Sequence, residues 1–249
     1  SEQSRFSRSW ALRFFTIWSL QAVSLLGSSL VGFALVWWLT EITGSATVLA
    51  TASLAEMLPR ILLGPFAGAL VDRHDRRSVM VVADGVIAVA TVSVALLYGQ
   101  ASMRIWHVYL LMFVRSAAGG FHWPAMQAST SLMVPEEQLS CVSGMNQALQ
   151  GVANIVTPPL GALLLSVIRL PGILAIDVLT AILAIAPLLV IAIPQPARDA
   201  KRVGVVQNLF GDMREGFRYV WRWRELTAVL AVAVMVNLFL SPASALLPI

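Results

Sequence analysis

The chain has 249 residues, 58% of them hydrophobic and only 12% charged, with a mean hydropathy of +0.78 and a formal charge of +4. Soluble domains carry roughly 25% charged residues, so a water-soluble globule is excluded. A single cysteine, Cys141, likewise excludes an internal disulfide framework and any CxxC redox or metal site. Seven apolar stretches are each long enough to cross about 30 Å of hydrocarbon as a helix, which predicts an all-α, multi-pass membrane protein partnered first by the lipid bilayer.

In chain order, the first span is expected over residues 14–39, preceded by Arg5 and Arg8 and carrying a mild polar stripe of Gln21, Ser24 and Ser28. Its apolar run is too long for a signal peptide and has no A-x-A site, so no leader cleavage is expected. The second, 47–71, contains Glu56 and Arg60 at i,i+4 with the acid first, the favourable order for a helical ion pair. A short loop, Asp72 to Arg77, leads to the third span, 78–98, with Asp84 near its start. The fourth, 105–126, holds Arg115 near its middle and His122 near its end. The fifth, 141–168, repeats amides at Asn146, Gln150 and Asn154, which keeps them on one helix face. The sixth, 171–193, contains Asp177.

Residues 194–225 break the composition. There Val206, Leu209, Phe210, Met213, Phe217, Val220 and Trp221 recur at helical spacing, with Arg214, Arg218 and Arg222 on another face. That pattern predicts an amphipathic helix on an anionic leaflet. A seventh span is expected over 226–249. The domain division is therefore a six-span bundle (1–193), a connecting loop (194–225) and the first span of a further bundle (226–249).

Charge asymmetry orients these spans. With the N-terminus inside, the inner segments hold Arg5, Arg8, Arg13, Arg73, Arg76, Arg77, Arg198, Lys201, Arg202, Arg214, Arg218, Arg222 and Arg224, the outer loops only Arg104 and Arg169. The remaining two of the 17 basic residues, Arg60 and Arg115, lie within spans. Positive charge stays on the cytoplasmic side, so a cytoplasmic N-terminus in a plasma or inner membrane follows. Because the basic residues are dispersed among the spans, no nucleic-acid partner is expected.

Buried charge carries the chemistry. An ionised residue at mid-span costs about 2.5 to 3.5 kcal/mol on insertion scales, so Arg115 needs a partner or a wet cavity. Glu56 either pairs with Arg60 to make its span insertable or also faces Arg115 and exchanges a proton. Asp84 and Asp177 read as structural carboxylates, and His122 as a packed side chain. Asn146, Gln150 and Asn154 either line a substrate cavity or bond between helices, and Gln21, Ser24 and Ser28 make a milder stripe on the first span. No GxxxxGK[ST] or HExxH motif occurs, and neither an enzyme activity, a metal nor a cofactor is expected.

The loop Gly68-Ala69-Leu70-Val71-Asp72-Arg73-His74-Asp75-Arg76-Arg77 resembles a signature of the major facilitator superfamily: Gly, three residues, Asp-Arg, two residues, two basic residues. Arg115 followed by Gly119 resembles a second, and Ala153-Asn154-Ile155-Val156-Thr157-Pro158-Pro159-Leu160-Gly161-Ala162 an altered form of a third, from the fifth span of antiporters. Thr43-Gly44-Ser45, Leu58-Pro59, the Asp-Arg loop and Asp84 look like the macrolide-efflux group of drug exporters. That group commonly has an acid just after the span-one glycine, where this chain has Ser28 after Gly27.

The resemblance implies the N-terminal half and seventh span of a twelve-span carrier that moves an amphiphilic drug outward against protons by alternating access. Glu56 and Arg115 would couple to the proton, and Gly68, Asp72, Arg73, Arg76 and Arg77 would form a cytoplasmic latch. Asn146, Gln150, Asn154, Gln21, Ser24 and Ser28 would contact substrate, while Gly119, Pro158 and Gly161 would let helices pack closely. The chain alone is expected not to transport, needing a C-terminal bundle or a second copy of itself. A homodimeric half-unit is the alternative. A seven-span receptor fits poorly, because the N-terminus reads as cytoplasmic and the sole lysine, Lys201, lies in a loop.

Overall fold

The computed structural model describes residues 2–191 and 193, and beyond them 218, 222, 223, 227–229, 231, 232, 235 and 236. Two compact units are distinguished, Ser1–Ala197 and Arg198–Ile249. The expected amphipathic helix and seventh span lie for the most part outside the described residues.

The first unit is a succession of helices: α1 (Glu2–Thr43), α2 (Ala46–Arg73), α3 (Arg76–Gly99), α4 (Ile105–Met133) and α5 (Glu136–Val190). Strands are absent among the described residues. Helix is the only open structure that satisfies every backbone group inside lipid without neighbours, and the breaks fall where polar or turn-forming residues cluster. Asp75, for example, ends the short turn after α2 by accepting hydrogen bonds from the Ser78 amide (3.1 Å) and hydroxyl (2.6 Å), which caps α3.

Helix α5 is two helices. At Arg169 the backbone leaves helical geometry (φ 56°, ψ 176°), dividing residues 136–168 from 170–190. Core packing shows that the chain doubles back there. Val142, early in α5, packs with Phe14, while Leu188, near its end, packs with Ile17, Val71, Met80 and Met126. Leu170, Ile173 and Leu174, in its middle, instead join Leu35, Leu39, Val94 and Val108 at the opposite end of the bundle. The unit thus has six rods crossing between two ends, as the sequence predicts for its first six spans.

Trp10–Thr43, Ala46–Gly64, Arg76–Gly99 and Glu136–Val190 are long and apolar enough to cross a membrane. Helix α4, with 29 residues, is also long enough. In the assembled bundle α1 lies along α5, α2 along α4, and α3 against both α4 and α5. One end carries the α2–α3 turn with Arg73, Arg76 and Arg77, and the other carries Arg104 and Arg169.

Candidate functional site

At the centre of the bundle lies Asp177, fully buried at 0% exposure. Its carboxylate accepts four hydrogen bonds. Two come from the Arg115 guanidinium (2.5 and 3.4 Å), one from the Thr91 hydroxyl (3.0 Å) and one from the Ser28 hydroxyl (3.0 Å). Arg115 also donates to the Thr91 hydroxyl (2.7 Å) and to the Ser28 carbonyl (3.2 Å). One residue from each of α1, α3, α4 and the second limb of α5 therefore meets around a single ion pair, and a saturated pair of this kind is what makes two charges tolerable in low dielectric.

The partner of Arg115 is thus Asp177, and the expected pairing with Glu56 is not formed. Glu56 and Arg60 are both exposed on α2, without an ion pair between them. The physical reason is azimuthal: α2 packs on α4 through its backbone near Glu56, whose carbonyl accepts a hydrogen bond from Ser116, so the carboxylate points away from the bundle axis.

A second polar layer lies closer to the Arg73 end. Gln21 donates to Asp84 (3.1 Å) and to the Ala184 carbonyl (3.4 Å), and His122 Nε2 stands 3.3 Å from the other oxygen of Asp84. Both Gln21 and Asp84 are buried. Ser24 is buried too, and Ser28 bonds to Asp177, so the α1 stripe faces the bundle interior, where the carboxylates of α3 and α5 need donors. Thr16 and Ser19 are among the polar residues of α1 that are exposed instead, with Arg13, Thr40 and Glu41.

The amides of α5 divide. Asn146 is buried, accepting from the Trp18 indole (2.7 Å) and donating to Gln127 (3.1 Å), so it ties α1, α4 and α5 together and does not line an open cavity. Gln150 is half-buried and Asn154 exposed. Asn154 shares its open face with Ser143, Gln147 and Gly151, all exposed. Asn146→Leu strands the indole N–H of the half-buried Trp18 and is expected to cost about 1 to 2 kcal/mol. Thermal unfolding of the bilayer-reconstituted protein, followed by tryptophan emission, checks this.

A model of the Major Facilitator Superfamily matches residues 17–249. The chain belongs to the Major Facilitator Superfamily. It is 40% identical over 240 residues to macrolide efflux protein A of Streptococcus pyogenes, covering 96% of this chain and 59% of that protein. The protein of the same name from Enterococcus faecalis is 38% identical over 206 residues, covering 83% and 63%. The multidrug efflux pump Tap of Mycobacterium tuberculosis is 29% identical over 243 residues, covering 92% and 56%. The chain thus spans roughly three-fifths of the length of these curated relatives. Family and helices together make it an integral, multi-pass membrane protein of a transporter superfamily.

The superfamily signatures map onto the bundle unevenly. In the Asp-Arg loop, Asp72 is 72% exposed and, among the described residues, pairs with Arg76 at 3.8 Å, a surface pair worth little in itself. The loop's arginines do the tying: Arg76 donates to the Ala128 carbonyl of α4 (2.8 Å) and Arg77 to the Leu189 carbonyl of α5 (2.5 Å), close to helix C-termini where backbone carbonyls welcome a cation. Of the three expected packing residues only Gly161 is tight, since an added Cβ would sit 2.5 Å from the Phe33 ring. At Gly119, as at Gly68, it would meet nothing within 4 Å, and Pro158 is exposed. The close-packed stripe of α5 is Ala153, Thr157 and Gly161, all buried and four residues apart. No metal-holding group of His, Cys, Asp and Glu exists among the described residues.

Proposed function

We propose that this chain is the N-terminal portion of an exporter that carries amphiphilic small molecules, macrolides among them, outward against protons by alternating access. The observation that carries the reading is the Arg115–Asp177 pair, buried at the centre of the bundle in a superfamily transporter whose relatives are named for macrolide efflux. Ionisable groups persist inside a membrane bundle where a proton or substrate path needs them. Protonation of Asp177 neutralises it, frees Arg115 and loosens four helices at once, which gives a proton leverage over their packing.

Substrate would enter along the polar faces that the bundle leaves uncovered. Glu56 and Arg60 on α2 and Gln147 and Asn154 on α5 are exposed charged or amide side chains within spans, and such groups belong against water or protein, not acyl chains. Residues 226–249 would begin a second bundle, with residues 194–225 as the cytoplasmic connection. Asp72 with Arg73, Arg76 and Arg77 of the α2–α3 loop would mark the cytoplasmic end and form its latch.

The test is transport by the full-length carrier in proteoliposomes with an imposed pH gradient, using a radiolabelled macrolide and ethidium. Arg115→Ala is expected to lower proton-driven uptake at least tenfold, and Glu56→Gln to lower it severalfold. Native rates in both variants, with native insertion, would overturn the assignment.

A further inference from the structure

Two polar layers run through the bundle at a fixed interval on all four helices. Ser28, Thr91, Arg115 and Asp177 form one, and Gln21, Asp84, His122 and Ala184 the other. Each member of the second layer stands seven residues from its counterpart on the same helix, toward the end that carries Arg73. Seven residues are two helical turns, about 10 Å. Each layer contributes one carboxylate and, from α4, one basic side chain.

The layers differ in how fully they are satisfied. Asp177 is saturated by four donors. In the other layer Asp84 has one oxygen held by Gln21 and the other 3.3 Å from His122 Nε2, which is buried yet lacks an aligned hydrogen bond. A carboxylate oxygen and a bare imidazole nitrogen repel at that distance, so a proton belongs between them. The charged group beside His122 is Asp84 of α3, and Gln21 of α1 bonds that carboxylate and the Ala184 carbonyl on the second limb of α5. Imidazole is the side chain suited to exchanging a proton between pH 5 and 8.

We propose that Asp84 and His122 form a second proton station in series with Asp177 and Arg115, so that protons leave the central pair toward the Arg73 end through this layer. This rests on the proton-coupled reading of the carrier. The step breaks the O–H bond of protonated Asp177, restores its pairing with Arg115, and forms an N–H bond on His122, whose imidazolium then pairs with Asp84 and releases the proton to water. One proton moves and nothing is oxidised. The layers are too far apart for a single hop, and the interval is built for an intermediary: Ser24 and Thr180 offer hydroxyls there, and at Gly119 an added Cβ would meet no atom within 4 Å, leaving room for water.

Two measurements test the proposal. The first is imidazole nitrogen NMR of the full-length carrier in nanodiscs, where His122 is assigned by its loss in His122→Gln. Its signal is expected to shift in Asp84→Asn and to respond to Asp177→Asn from two turns away. A His122 signal indifferent to both carboxylate variants overturns the proposal. The second is the ratio of proton-driven uptake to macrolide counterflow, an exchange that needs no net proton movement. His122→Gln is expected to lower that ratio about tenfold and to flatten its pH profile, and an unchanged ratio and profile would overturn it. If Asp177→Asn keeps native proton-driven uptake, it is the proton-coupled reading that fails, a result distinct from either outcome at His122.

Discussion

Asp177→Leu alone is expected to destabilise the protein by about 3 to 5 kcal/mol, the cost of leaving a buried cation without its counter-ion. Arg115→Met should cost a similar amount, since it strands a carboxylate that is 0% exposed. The double variant should recover most of the loss. Two apolar side chains of comparable volume bring no charge into low dielectric, and Thr91 already has the Ile87 carbonyl as an alternative acceptor at 2.9 Å. Thermal unfolding of the three variants in nanodiscs decides the matter. Single variants as stable as the native protein, or a double variant as unstable as the two singles summed, would refute the account of the pair. Recovered stability without recovered proton-driven uptake would separate the structural from the transport role of these residues.

The second large effect is expected at Gly27. An added Cβ would lie 2.5 Å from the Thr180 hydroxyl and 3.5 Å from the Asp177 Cα, so α1 and the second limb of α5 touch nearly backbone to backbone. Gly27→Val is expected to cost about 1 to 3 kcal/mol, the usual range for overpacking, because the two helices must separate right beside the central ion pair. Gly27→Ala should cost less. Thr180→Ala removes the obstructing hydroxyl and should recover a substantial fraction of the loss in either background. The melting temperatures of the three single and two double variants measure the coupling, and purely additive effects would show that the contact is not what limits the site.

Why both effects converge on one region is a matter of azimuth. Asp177 lies seven residues from Leu170, Arg115 ten from Ile105 and Glu56 ten from Ala46, so depth in the bilayer admits either acid as a partner for Arg115. The choice is made by which helix face turns inward. Hydropathy averages over that face. The same limit applies to Gln21, Ser24 and Ser28, whose spacing places them on one face without saying whether it meets a cavity or a carboxylate. Asn146 differs from Asn154 only because its position falls opposite Trp18.

From the amino-acid order alone come the number of the first six helical rods, the clustering of arginine at one end, and the family, because each depends on local quantities: length, hydropathy, and residue types at fixed short intervals. The hairpin at Arg169 is legible too, as a lone charge between two apolar runs. Tertiary packing decides who faces whom: that Asp177 and not Glu56 answers Arg115, that His122 meets Asp84, and that Gly161 is pressed against Phe33 while Gly119 is open. Those outcomes depend on the rotation of each helix about its axis, which is set by the sum of many small contacts with neighbours far away in the chain.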